Sequence, residues 1–352
     1  MLSSLRILDL TRNLPGPFAT MLLAQMGAEV LQVEDPQRPD LAVTFPPFDE
    51  AGESLVYRTL HGHAARIRVA LRSPEGVAVI RRLVSRYDIL LEGWRPGVLQ
   101  GSGLEATALR QANPRLIYCS LTGYGQTGPL ARRAGHDLNY LARSGLAAAT
   151  GLADGTLAVP GFQLADVAAG GMAAVIAILG AVLEREQTGQ GRHLDVAMAV
   201  NALEFMPVQA PQAVRGAPPR PGRDMLSGGW PHYRYYRCSD GGWMAVGALE
   251  PKFWHQLCQV LGLGAVPYPQ GDDPALADRL AACFATGTRD EWAAVFADHD
   301  CCVDPVLDLG EALGSELGRE AAARFQGRSR RPSAGPLLEA CGFEPAEIER
   351  LL

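Results

Sequence analysis

Short apolar runs and helical patterns alternate over the first 125 residues, and this alternation constrains the fold more tightly than any other feature of the chain. Arg6–Leu10 (RILDL) reads as a buried strand and Leu14-Pro15-Gly16-Pro17 as a turn. Phe18–Met26 reads as a helix closed by Gly27, and Glu29–Val33 as the next strand. Such a βαβ unit implies a right-handed crossover onto a parallel sheet. Arg66–Leu71 is strand-like, and Ser73 then caps a helix with Pro74 in its first turn, running to Tyr87. Asp88–Glu92 and Arg115–Leu121 are further strands, separated by a short helix near Glu105–Gln111. The expected fold class is α/β: a doubly wound, Rossmann-like large domain on a parallel sheet.

At 352 residues the chain has room for a second domain. The large domain is expected over 1–205, with 325–352 returning to it. A proline- and arginine-containing linker is expected over 206–225, and a smaller α+β domain over 226–324. In the latter, Tyr233–Cys238 and Trp243–Val246 read as a β-hairpin. Helical patterns follow at Lys252–Leu261, Pro274–Ala285 and Arg289–Ala297, and Gly327–Gly335 reads as another linker.

Composition narrows the function by exclusion. A formal net charge of −6 argues against nucleic acid as a partner, but leaves room for a local basic pocket. Seven cysteines without a C-x-x-C, two of them adjacent (Cys301 and Cys302), are expected to be reduced thiols of a cytoplasmic protein. No secretory signal is expected, since Met1–Leu10 carries Arg6 and Asp9 and lacks a continuous apolar core. Val167–Leu183 is charge-free over 17 residues, yet its Ala/Gly content and short length favour a helix buried in a soluble domain over a membrane span.

No G-x-G-x-x-G follows the first strand, no G-x-x-x-x-G-K-[ST] occurs, and G-x-S-x-G is absent. The seven histidines lack metal-ligand spacing, so no metal site is expected. Acid–base chemistry is left. The cluster Gly135-His136-Asp137-Leu138-Asn139-Tyr140 carries an imidazole suited to proton transfer near neutrality, or else a plain capping pair. Asp166 precedes the charge-free helix; it reads either as an N-cap or as a half-buried carboxylate beside amides that can hold an oxyanion. Gly170 and Gly171 would permit close approach of a ligand or another helix. Glu250 is an end-of-strand carboxylate before Pro251.

In this order, these residues resemble the type III CoA-transferase (CaiB/BaiF-like) superfamily, most closely its α-methylacyl-CoA racemase branch. The matching stretches are Leu14–Pro17, Gly27–Val30, Glu92–Val98, Leu121–Pro129, Gly135–Tyr140, Gly189–Arg192, Val246–Pro251 and Asp304–Val306. The resemblance implies racemisation at the α-carbon of a 2-methylacyl-CoA by two-base proton transfer through an enolate. His136 and Asp166 would be the bases, with Asp137, Glu250, Asn139 and Tyr140 in support. It implies CoA contacts from Arg38, Arg66, Arg72, Arg95 and the Gly123-Tyr124-Gly125 turn. No cofactor is expected beyond the CoA of the substrate. An interlocked homodimer is expected, with Glu250 acting across it.

Two alternatives follow from the same resemblance. Asp166 would be the acyl-accepting nucleophile of a CoA transferase, a branch that tends to lack the histidine. The second arises from a departure: the family's basic N-R-N-K-R-like stretch is replaced here by His61-Gly62-His63-Ala64-Ala65. Each charged phosphate hydrogen bond lost removes ~1.5–3 kcal/mol, which would suit a repurposed homologue acting on a non-CoA or carrier-protein-bound acyl group.

Overall fold

The computed structural model describes residues 1–325 and 331–352. It divides into two compact units: 1–144 with 160–205 and 322–352, and 145–159 with 206–321. The segment 145–159, read from sequence as part of the large domain, goes with the second unit. Of the expected linker Gly327–Gly335, residues 327–330 lie outside the described residues.

The first unit is built on six parallel strands: β1 Arg6–Leu10, β2 Glu29–Glu34, β3 Ala65–Arg68, β4 Ile89–Glu92, β5 Ile117–Thr122 and β6 His193–Ala197. Their order is β3-β2-β1-β4-β5-β6, the doubly wound Rossmann arrangement. The central strands are almost wholly buried, as strands covered on both faces must be. β6 escapes the sequence reading because it is a polar edge strand whose His193 and Asp195 are exposed. The helix Leu55–His61 is also missed, although Ser54 caps it by accepting the Tyr57 N–H.

Helices Gly335–Ala340 and Pro345–Leu351 belong to this unit. Leu338, Phe343 and Ile348 share a core with Leu8, Leu31 and Leu90. Helix Pro15–Gln25 starts three residues earlier than the sequence reading, because Pro15 fits a first helical turn and Asn13 turns the chain at φ +69° before it.

The second unit holds an antiparallel sheet of β7 Tyr233–Arg237, β8 Trp243–Gly247 and β9 Val303–Pro305. Helices Pro251–Val260, Pro274–Phe284 and Arg289–Phe296 cover a core around Met244, Trp254, Leu257 and Phe284. β9 is too short, and too close to a proline, to signal itself. The stretch expected as linker contains the helix Gln209–Val214. All seven cysteines are free thiols.

Candidate active site

In a doubly wound sheet, ligands bind where the strand order reverses, beyond the carboxyl ends of the strands. Here the reversal lies between β1 and β4. A cavity of about 680 Å³ opens there, lined by the residues that follow β1 (Thr11–Asn13), β4 (Gly93–Pro96) and β5 (Gly123). His136 and Asp166 line this same cavity, with Asn139, Tyr140, Arg38 and Arg95.

Asp166 lies in a π-helical stretch, Ala165–Met172, that runs into the α-helix Ala173–Thr188. It is not the N-cap that one reading of the sequence makes it. Its N–H is taken by Asp137 Oδ1 at 2.9 Å, and the next amide, of Val167, by Gln163 O. The amides expected to hold an oxyanion are therefore engaged at these two positions. π-helical turns are rare and concentrate at functional sites; Asn201 Nδ2 braces this one by donating to Ala169 O at 2.9 Å. Gly170 and Gly171 serve helix packing. A Cβ on Gly171 would come within 2.7 Å of Phe18 and 2.9 Å of Pro15 O, in the helix Pro15–Gln25.

The helix Ala165–Thr188 is long and apolar enough to cross a membrane by length and composition. Val167–Leu183 is expected to be a helix buried in a domain, but only one face of it is covered. Ala169, Ala174 and Ile178 are buried, while Ile176 is 72% and Leu183 68% exposed.

Burial, with the charge of Asp137 added, pushes the Asp166 carboxyl up to about 7. His136 stands exposed just ahead of the helix Asp137–Ser144, its N–H held by Asn139 Oδ1 at 3.0 Å. Tyr140 is buried and donates to Gly135 O at 2.5 Å, closing the same turn. The cavity thus brings together, from distant parts of the sequence, an imidazole and a carboxyl raised to about 7.

Its wall is otherwise cationic. Arg12, Arg38, Arg95 and Arg133 line it, and Asp166 is the one acidic side chain among the lining residues. Among the described residues no carboxylate pairs with any of these arginines. Such a wall favours a polyanionic ligand.

Of the other residues expected at the site, Asp137 supports Asp166 from behind, and Tyr124 packs edge-on against Tyr140 at 5.3 Å. Gly125 turns the chain at φ +86° beside Asp195. Arg66 is held by Glu34 at 3.2 Å and by the Tyr57 hydroxyl at 3.3 Å, and Arg72 is not among the lining residues. Glu250 belongs to the second unit, where it starts the helix Pro251–Val260.

The replaced segment 61–65 has become core: His61, Ala64 and Ala65 are at most 1% exposed. His61 Nε2 meets Asp40 at 3.1 Å, and the same Asp40 oxygen accepts the Asn13 N–H at 3.0 Å. A histidine where a basic stretch was expected thus braces the cavity wall from below.

The sequence profile described as CoA-transferase family III matches residues 2–339. The chain belongs to this family. The human α-methylacyl-CoA racemase is 35% identical over 345 residues, covering 96% of this chain and 86% of that protein. Mouse succinyl-CoA:glutarate CoA-transferase is also 35% identical, over 89% of this chain and 73% of that protein. A CaiB/BaiF family protein from Brucella suis superposes with a TM-score of 0.78 at 28% identity, covering 90% of this chain and 87% of that one. Family membership thus supports racemase and transferase chemistry alike.

Arg12 and Arg133 are the lining arginines that sequence reasoning missed. Arg12 lies two residues past β1 of this family III chain, a place that points to a site only once the strand order, and with it the reversal, is known.

Proposed function

We propose that this chain racemises the α-carbon of a 2-methylacyl-CoA. The observation that carries the reading is the presence of His136 and Asp166 in the lining of one cationic cavity, with the carboxyl raised to about 7 by burial and Asp137. One group removes the α-proton, the thioester holds the resulting enolate, and the other returns a proton to the opposite face. A proton acceptor on each side of the α-carbon suits a reaction that must run in both directions. Arg12, Arg38, Arg95 and Arg133 would take the CoA phosphates, in place of the basic stretch lost at 61–65. The reaction proposed needs no cofactor. A second copy of the chain would cover the exposed apolar side of helix Ala165–Thr188, and free thiols suit a cytoplasmic setting.

Incubation of a chiral 2-methylacyl-CoA in deuterated water tests this: α-deuteration with loss of optical purity is expected, and absence of exchange overturns it. The transferase reading is favoured by the equal identity to the glutarate transferase. It would make Asp166 an acyl acceptor. Trapping of an Asp166 acyl group by hydroxylamine, with His136→Ala tolerated, would establish it instead.

A further inference from the structure

A second cavity, of about 280 Å³, shares Trp94, Arg95 and Pro96 with the first, so the Gly93–Gly97 loop is a wall of both. Its lining includes polar groups for which the proposed reaction has no use: Glu92, Ser120 and His193. They come from three adjacent strands. Glu92 of β4 is in register with Ser120 of β5, and His193 of β6 lies opposite Tyr118, two residues before Ser120. Glu92 is 4% exposed and Ser120 1%. Glu92 Oε2 accepts the Trp94 N–H at 2.7 Å, and the Ser120 hydroxyl also favours the ionised carboxylate. Ser120 Oγ and His193 Nε2 are 2.9 Å apart.

The serine has one hydroxyl proton and two neighbours that can take it. When Glu92 is ionised, Ser120 donates to the carboxylate and His193 Nε2–H donates to Ser120. When Glu92 is protonated, the carboxyl donates to Ser120 and the hydroxyl donates to a bare Nε2. A proton moving from Glu92 to Ser120, as the serine proton moves to Nε2, interconverts neutral and charged pairs with no net change in protons. We propose that Glu92 is a positioning residue for Arg95, controlled by protons that reach it from exposed His193 through Ser120. Ionised Glu92 holds the Trp94 amide by a charge-assisted bond and so fixes the loop that carries Arg95; protonated Glu92 holds it more weakly. The inference rests on the acyl-CoA reading, in which Arg95 meets an anionic ligand.

The neighbouring groups leave this pair to respond near neutrality. Burial pushes Glu92 up to about 7, Ser120 and Trp94 oppose that rise, and Asp195 adds to it. Burial pulls His193 down, Asp195 pulls it up, and Arg110 pulls it down. Cys119 and Tyr118, which also feel the charge of Glu92, are pushed far up by burial, and the Tyr118 hydroxyl donates to Leu104 O. Glu105, the other carboxylate of this cavity, accepts the Gly103 N–H.

The test is calorimetric binding of CoA between pH 6 and 8, with the variant-to-wild-type ratio cancelling the ligand's own titration. Glu92→Gln keeps an acceptor for Trp94 but cannot ionise. Its dissociation constant is expected to exceed that of wild type by about 3–10-fold at pH 8 and to match it at pH 6. Ser120→Ala removes a donor to the ionised form, so its weak-to-tight transition is expected about one pH unit higher. In an Arg95→Ala background the Glu92→Gln effect is expected to vanish. Melting curves at pH 8 check that each variant is folded. A ratio that stays constant across pH, or an effect that persists without Arg95, overturns the inference while leaving the acyl-CoA reading intact. Failure of the wild type to bind CoA at any pH removes both.

Discussion

Asp166 is harder to ionise in the folded chain than in the unfolded one, its carboxyl moving from 3.8 to about 7. The unfolded state therefore releases this proton first, and between about pH 4 and 7 the group withdraws stability as pH rises. Asp166→Asn is expected to abolish racemisation yet melt higher than wild type at pH 8, by ~2–4 °C for each kcal/mol regained. Asp137→Asn keeps an oxygen for the Asp166 N–H but removes the neighbouring charge. The acidic limb of its kcat/KM profile should move to lower pH, and an unmoved limb would show that Asp137 only holds the backbone. His61 offers a contrast. Burial raises the Asp40 carboxyl, and the His61 bond and charge, with the amides of Ala42 and Asn13, together carry it below its usual range. His61→Ala would strand a buried carboxylate, at a cost of ~3–5 kcal/mol in chemical denaturation. The polar run around His136 and the carboxylate at Asp166 were legible as motifs. Arg12 and Arg133 were not, because a lone arginine in a loop has no period, and only the closed fold shows which loops share a cavity.

Among the elements, the helix Ala165–Thr188 combines the tightest and the loosest packing. Gly171→Ala would drive a Cβ to 2.9 Å from the Pro15 carbonyl, a backbone atom that cannot step aside cheaply. A loss of ~1–3 kcal/mol is expected. Within its own chain Gly180 has open space around it, so in the monomer Gly180→Ala should stabilise the helix by ~0.5–1 kcal/mol through propensity. Paired urea titrations separate the two; equal effects would refute the packing account. The strand–helix alternation made this architecture readable, since apolar period and caps such as Ser73 are local signals. β6, β9 and the π-helical turn were unreadable for the opposite reason. An edge strand is polar, a three-residue strand has no period, and a π turn is chosen by the packing of Gly170 and Gly171 and by the brace from Asn201.

For the molecule as a whole, the exposed Ile176 and Leu183 bear on assembly. If a second copy covers them, Ile176→Asp with Leu183→Asp should halve the sedimenting mass without lowering the helix content; a wild type that sediments as a monomer would refute the dimer. The return of residues 335–351 to the first unit has a separate consequence for biogenesis. The sheet uses strands made early, but Leu338, Phe343 and Ile348 complete its core. A nascent chain therefore exposes part of that apolar surface throughout the synthesis of the second unit. Ribosomes stalled before Gly335 should hold a protease-sensitive first unit, and chaperones have their longest opportunity to engage it there.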